Sequence, residues 1–555
     1  MRLRFAAALG LSAGLIAWSG CRKAEVPPRA PSAPSVRLYL ISTLAGALEP
    51  CGCRKDMLGG IDHAAALLDT RASEAPQRLL LAVGPVLFQD PELEPERREQ
   101  DVWKAEALAA SLADVGLAAW APGSNDFAAG APVLRQLAVQ SGAKLLAANL
   151  RSDEVPIVGT ALFDVGRYRV GVVGIGAAAS PSGSAEAVSP GGAPAEAASP
   201  EAAARALEEG ARALDAAGAQ IRVALIAAPR GVGLRLAEKV AGFDVIALGK
   251  PTESGDANDA PFPPTLVGET LVVQAPNHLQ ALSYVDLFVE GDDFSFQDGV
   301  GIANIEQRES LTARVKELEQ RLARWQKEQS PTPEQVSARQ AELEQLKARL
   351  LEIERQSAKA PKTDGSSFLY QLVEVRESLG SEARVAQRMS EYYRRVNEHN
   401  REALQDRKPL PAPPGSSHYV GQAACVSCHA EADTFWHTTS HAKAYATLSR
   451  DFKEFNLDCV GCHVTGYDRP GGSTVTHVGG LKDVQCEACH GPGSRHAESS
   501  GDTALITLRP SESVCRSCHN PPHVTDDWDL SASWQKILGP GHAEAARKSV
   551  AAPPE

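Results

Sequence analysis

A surplus of basic charge is missing from this 555-residue chain: 56 Lys and Arg stand against 69 Asp and Glu, a net charge of -13. Neutralising a phosphate backbone needs the opposite balance, so nucleic acid is excluded as an expected partner. Apolar runs for repeated membrane crossings are missing as well. Hydrophobic residues make up 43% and charged residues 23%, which excludes a polytopic membrane protein and a wholly disordered chain. Cysteine is scarce before the last quarter, where only Cys21, Cys51 and Cys53 precede Cys425. The length exceeds what one hydrophobic core organises, so two or three globular units plus connecting segments are expected.

What is present begins with a leader. Arg2 and Arg4 precede an apolar stretch from Phe5 to Trp18 and the small residues Ser19 and Gly20, the pattern of an export signal over residues 1–20. The ending Ser19-Gly20-Cys21 resembles a bacterial lipobox, which implies acylation of Cys21 and a lipid anchor in the membrane. Ordinary signal cleavage and retention of the leader as an anchor stay open. Residues 21–35, rich in Pro and Ala, then form a tether, and the mature chain is exported to the periplasmic side.

Residues 36–300 alternate short apolar runs with amphipathic stretches, the pattern of sheets covered by helices: an α/β layered sandwich. Strands are expected at Val36–Thr43, Arg78–Gly84, Ala143–Asn149, Tyr168–Ile175, Ile221–Pro229, Phe243–Gly249, Thr270–Ala275 and Ser283–Val289. Helices fit at Ile61–Ser73, Val102–Val115, Ala131–Ser141 and Ala202–Ala216, and the Ser/Pro/Gly/Ala-rich run 177–200 reads as a surface insertion. Leucines at alternating steps of four and three over 301–358, broken at Ser330-Pro331-Thr332-Pro333, predict an antiparallel helical hairpin with arms of two to three heptads. Residues 359–414 are expected to return a strand at Phe368–Val375 and a helix through Val385, Met389, Tyr392 and Val396, ending in a Pro-rich linker.

The remaining eight cysteines fall into four C-x-x-C-H runs: Cys425, Cys428, His429; Cys459, Cys462, His463; Cys486, Cys489, His490; and Cys515, Cys518, His519. In such a run both thiols add to the haem vinyl groups and the adjacent His supplies the proximal iron ligand. A zinc ribbon also uses C-x-x-C pairs but has no use for a His after every second cysteine. Four covalent c-type haems are therefore expected in a domain at 415–545, followed by a tail at 546–555. His418, His437, His441, His477, His496, His523 and His542 are the available distal ligands. From Gly415 to the last residue the chain carries 11 Lys and Arg against 16 Asp and Glu, so no basic docking face is expected.

Two resemblances sharpen this reading. The order of cues in 36–300 resembles the 5′-nucleotidase family of calcineurin-like metallophosphoesterases. Leu40-Ile41-Ser42-Thr43-Leu44-Ala45-Gly46 stands where that family has its Asp-x-His loop, Val83-Gly84-Pro85 at the Gly-Asp turn, Gly123-Ser124-Asn125-Asp126 at the Gly-Asn-His-Glu loop, and Gly249-Lys250-Pro251-Thr252 at the Gly-His-x-His loop. The ligand positions read Thr43, Ala45, Pro85, Ser124, Asn125, Lys250 and Thr252, a set unable to hold two metal ions. Cys51 and Cys53 read as a strained disulfide or a thiol pair, and His63 as an ordinary helix residue.

The last quarter resembles the tetrahaem cytochrome c-554 family in Ser440-His441-Ala442-Lys443-Ala444, Asp458–Gly466 and Cys486–Gly493. That resemblance implies a mostly helical domain, distal ligation by His441 and His496, a third distal ligand from beyond the last motif with His542 ahead of His523, and one five-coordinate haem. The chain as a whole is expected to be an exported multihaem electron-transfer protein that serves redox partner proteins, its α/β domain a scaffold or docking module. A reductase acting on a small nitrogen-oxide-type ligand at an open haem, and a phosphoesterase fused to a cytochrome, are the alternatives.

Overall fold

The computed structural model describes residues 33–50, 57–177, 199–255, 257–299, 302–328, 332–357, 365–520, 523–524, 528–540 and 542. Cys21, Cys51, Cys53, the leader, most of the tether and nearly all of the 177–200 insertion lie outside them.

The strands are, in chain order, β1 (Val36–Ser42), β2 (Arg78–Gly84), β3 (Leu117–Pro122), β4 (Lys144–Leu146), β5 (Ile157–Val158), β6 (Thr160–Val165), β7 (Tyr168–Ile175), β8 (Ile221–Ala227), β9 (Val245–Gly249), β10 (Thr265–Val267), β11 (Thr270–Val273), β12 (Ala281–Phe288), β13 (Gln297–Asp298) and β14 (Ser367–Glu374). They form an eight-stranded sheet in the order β13-β14-β12-β1-β2-β3-β4-β5 and a six-stranded sheet in the order β10-β11-β9-β8-β7-β6. The sheets face each other across one core, in which Leu38, Leu40, Leu81 and Val83 meet Val172, Val223, Leu225 and Val245. Strands buried on both faces read as continuous apolar runs, as β1 and β8 do. Arg37 is the exception inside β1: opposite Asp286 in the ladder, it donates to both carboxylate oxygens at 2.6 and 2.8 Å, and its guanidinium lies 4.2 Å from the Tyr284 ring centre.

Helices α1 (Ile61–Thr70), α2 (Arg98–Asp114) and α3 (Ala131–Ser141) cover the outer face of the larger sheet, and α4 (Pro200–Ala216) and α5 (Arg230–Lys239) that of the smaller. The start of α4 is fixed by Ser199, whose hydroxyl accepts from Ala202 N, and by Pro200 in the first turn. After β13 come α6 (Ile302–Glu328) and α7 (Pro333–Ser357). At 27 and 25 residues these helices are each about 40 Å long, nearly four heptads rather than two to three, and Leu318, Leu322 and Leu343 form an apolar seam of their own between them. The chain then re-enters the larger sheet as β14, antiparallel to β12. Helix α8 (Ala383–Ala403) follows, capped by the Glu382 carboxylate on Val385 N, and buries Val385, Met389, Tyr392 and Val396 against α1 and α2.

From Gly415 the helices are short. Val426–Trp436, at 11 residues, is followed by turns of four or five residues at each further motif. Buried Glu487, inside the third motif, organises this region by accepting from the backbone N–H groups of Val420, Gly421 and Gly493. No helix among the described residues is long and apolar enough to cross a membrane.

Candidate functional site

The strand ends of the α/β unit bring the seven loop positions together, but not as an ion cage. Thr43 Oγ1 accepts from Lys250 N at 2.8 Å. The Asn125 amide donates to the carbonyls of Phe88, Gln89 and Glu253, while its oxygen accepts from Thr252 Oγ1 and Glu253 N. The Lys250 ammonium lies 2.7 Å from Glu253 and 2.8 Å from Asp259, and these carboxylates raise its pKa against the effect of burial. The two sheets approach so closely here that a Cβ on Gly249 would lie 2.3 Å from Val83 O, and within the larger sheet one on Gly123 would lie 2.2 Å from the Pro85 ring. Buried Asp126 accepts from the N–H groups of Val86, Leu87 and Gly123; burial pushes its carboxyl up to about 7 against those donors. Among the described residues no group of three or more His, Cys, Asp or Glu side chains could hold a metal ion. His63 sits on α1 with Nδ1 2.6 Å from Gly380 O, an ordinary tertiary contact.

In the C-terminal region the histidines meet in pairs. The rings of His429 and His496 are 6.4 Å apart between centres and 22° from parallel; His490 and His542 are 6.4 Å and 23°; His441 and His519 are 6.1 Å and 50°. Two imidazoles on opposite sides of one metal ion, with metal–nitrogen bonds of about 2.0–2.1 Å, have centres roughly 6.4 Å apart. The residues present therefore fit an iron held between two histidines at three places. The Nδ1 atoms of His463, His490, His496 and His542 lie 2.6, 2.7, 2.9 and 3.2 Å from the carbonyls of Ala444, Thr507, Asp502 and Gly539. Donation from Nδ1 to a carbonyl fixes the tautomer that turns the Nε2 lone pair outward, the form that ligates a metal. Burial, followed by the neighbouring His519, lowers the pKa of His441.

The eight motif cysteines are all outside disulfides. Cys425 lies beside Cys486 and Cys462 beside Cys518, and the neighbouring Cys462 side chain draws Cys518 down to about 6. The first motif thus lies against the third, and the second against the fourth. Motif spacing in the sequence shows neither this neighbourhood nor the hold of Glu487 on Gly421, because both arise from chain crossings 56 or more residues apart. His437 sits 3.6 Å from Asp433, and the rings of Trp436 and His437 are 4.8 Å apart.

Comparison with known proteins follows the same division of the chain. Residues 424–491 match the family described as cytochrome c554 and c-prime. Cytochrome c-554 of Nitrosomonas europaea is 36% identical over 91 residues, 14% of this chain and 39% of that relative, so the chain spans about two fifths of the relative's length. Among solved structures, the 5′-nucleotidase precursor from Thermus thermophilus is similar with a TM-score of 0.41 at 16% identity, over 70% of this chain and 63% of that one. The sulfate thiohydrolase SoxB of Thermus thermophilus, in complex with glycerol, gives 0.36 at 18% identity over 47% of this chain and 55% of that one. The calcineurin-like phosphoesterase YfkN from Bacillus subtilis gives 0.36 at 14%, over 47% and 86%.

Proposed function

We propose that this chain is an exported, lipid-anchored multihaem c-type cytochrome that passes electrons to and from redox partner proteins, and that its α/β domain is a scaffold without hydrolytic activity. The observation that carries the reading is the set of three imidazole pairs at 6.1–6.4 Å, each joining the histidine of one C-x-x-C-H motif to a histidine from elsewhere in the chain. Bound haem supplies reversible one-electron exchange at iron. The polypeptide's part is to fix Cys425, Cys428, Cys459, Cys462, Cys486, Cys489, Cys515 and Cys518 for covalent attachment. It also holds His429, His463, His490 and His519 as proximal ligands, and it presents His441, His496 and His542 from the opposite side. The Cys425–Cys486 and Cys462–Cys518 contacts support close neighbours in two pairs, an arrangement suited to relaying electrons.

A second reading, a reductase at an open coordination position, is favoured by the likeness to cytochrome c554 over 424–491, which includes the whole second motif. Hydrolysis is disfavoured by Lys250 and its two carboxylate partners among the strand-end loops. The deciding experiment is haem retention through acidified acetone, with the iron and haem counted per chain. About four haems support the proposal, and zinc in place of haem overturns it.

A further inference from the structure

The contacts between the α/β domain and the C-terminal region gather on both sides of the second motif. Residues 452–458, directly before Cys459, lie along α2 and α8. Asp458 forms ion pairs with Arg97 and, at 3.4 Å, with Lys104, both from the α2 segment. Gln100, Asn400 and Asn456, each 2% exposed or less, satisfy one another: Gln100 Oε1 accepts from Asn400 Nδ2 and from Leu457 N, and Asn400 also donates to Phe455 O. Lys453 pairs with Glu49, which also accepts from Tyr393 Oη, and the Arg394 guanidinium lies 3.9 Å from the Phe452 ring centre. Asp468, after the motif, is bridged by Arg407 to Glu96, the guanidinium lying 2.9 Å from Asp468 and 2.7 Å from Glu96.

Buried amides matched to one another define a single docked arrangement, since separating them without water would orphan each. Burial opposes ionisation of Asp458, yet Lys104 and Arg97 outweigh it and hold the carboxyl below its ordinary value. The Cα of Asp458 is about 3.8 Å from that of Cys459, the residue that would carry the porphyrin. A charge so placed, in partly dehydrated surroundings, acts on the nearest redox centre far more than on centres beyond a Debye length.

We propose that the α/β domain tunes the reduction potential of one centre, the haem on Cys459 and Cys462, through the Asp458 carboxylate and the Arg97 and Lys104 cations that grip it. This rests on the reading of the second motif as a haem site. Arg97, Lys104 and Asp458 are then positioning residues, and the α/β scaffold sets the charge beside one haem. A negative charge near the iron favours the oxidised state and a positive charge the reduced state.

The test is a spectroelectrochemical titration of full-length, haem-loaded protein carrying Asp458→Asn, Lys104→Met or Arg97→Lys. Asp458→Asn should raise, and Lys104→Met lower, the potential of one centre only. The expected size is about tenfold in its reduction equilibrium, ~59 mV for one electron. Arg97→Lys, which keeps the charge, should leave it in place. Shifts of the same sign in Asp458→Asn and Lys104→Met would mean mere loosening and overturn the inference, as would equal movement of every centre or none. Mass spectrometry of the peptide containing Cys459 and Cys462 separates the two failures: a peptide without haem removes the underlying reading, whereas a haem-bearing peptide with unmoved potentials removes only the tuning.

Discussion

His490 and His542 face each other with ring centres 6.4 Å apart and planes 23° from parallel, although 52 positions separate them in the chain. His490 ends the third motif, and His542 holds its Nδ1 near Gly539 O. Replacing His542 with Ala should convert one low-spin ferric signal to high spin while leaving the haem count unchanged, since attachment depends on Cys486 and Cys489. His523→Ala should leave every signal of the third-motif haem in place. The reverse result in electron paramagnetic resonance would assign the distal role to His523.

An open sixth position on the haem carried by Cys459 and Cys462 is the expectation to be tested. Oxidised protein should then show one high-spin and three low-spin signals. Nitric oxide added to the reduced protein should bind rapidly at one centre in four. Four low-spin signals with no binding would leave a pure electron carrier, and a high-spin signal that persists in a His463 variant would move the open position to another haem.

Much of the α/β core was legible because strands buried on both faces leave continuous runs of Val, Ile and Leu. Arg78–Gly84 and Tyr168–Ile175 have the expected ends, the other expected strands differ by a few residues, and β3, β5, β6, β10 and β13 were not expected. What escaped the pattern has a physical cause. β3 reads Leu-Ala-Ala-Trp-Ala-Pro, too small and alanine-rich to signal a strand until Trp120 is buried against the helices. Helix α5 contains Gly231 and Gly233, which weaken helix propensity; a Cβ at Gly233 would lie 2.5 Å from the Leu248 side chain, so packing selects the glycine. The C-x-x-C-H runs are local and can be read directly from the sequence. Which histidine faces which is set by tertiary folding, and periodicity carries no trace of it.

Membrane attachment is a matter for Cys21. If that residue is acylated, Cys21→Ser should shift the protein from the membrane fraction to the soluble one on cell fractionation. Retention of the variant in the membrane would assign the anchor to the leader or to a partner.

Lys250 gives a second check on the α/β domain. With its ammonium 2.7 Å from Glu253 and 2.8 Å from Asp259, the strand-end loops already hold a fixed cation. Full-length protein supplied with manganese or zinc should not turn over nucleotides. Turnover that Asn125→Ala abolishes would show a working centre in these loops.

Asp126 ties stability to pH in the same loops. Burial raises its carboxyl to about 7, whereas in an unfolded chain the value is about 3.9. Between those values the folded protein holds a proton that the unfolded chain has released. The stability from this group is therefore complete below about pH 4 and is lost as pH rises through about 7. Asp126→Asn removes that slope. It also turns an amide N–H toward backbone donors from Val86, Leu87 or Gly123, at a cost of roughly 1–3 kcal/mol. Chemical denaturation from pH 4 to pH 8 should show the wild-type advantage over the variant shrinking as pH increases. An advantage that grows over that range would mean that the three N–H donors outweigh burial and that the carboxylate is ionised throughout.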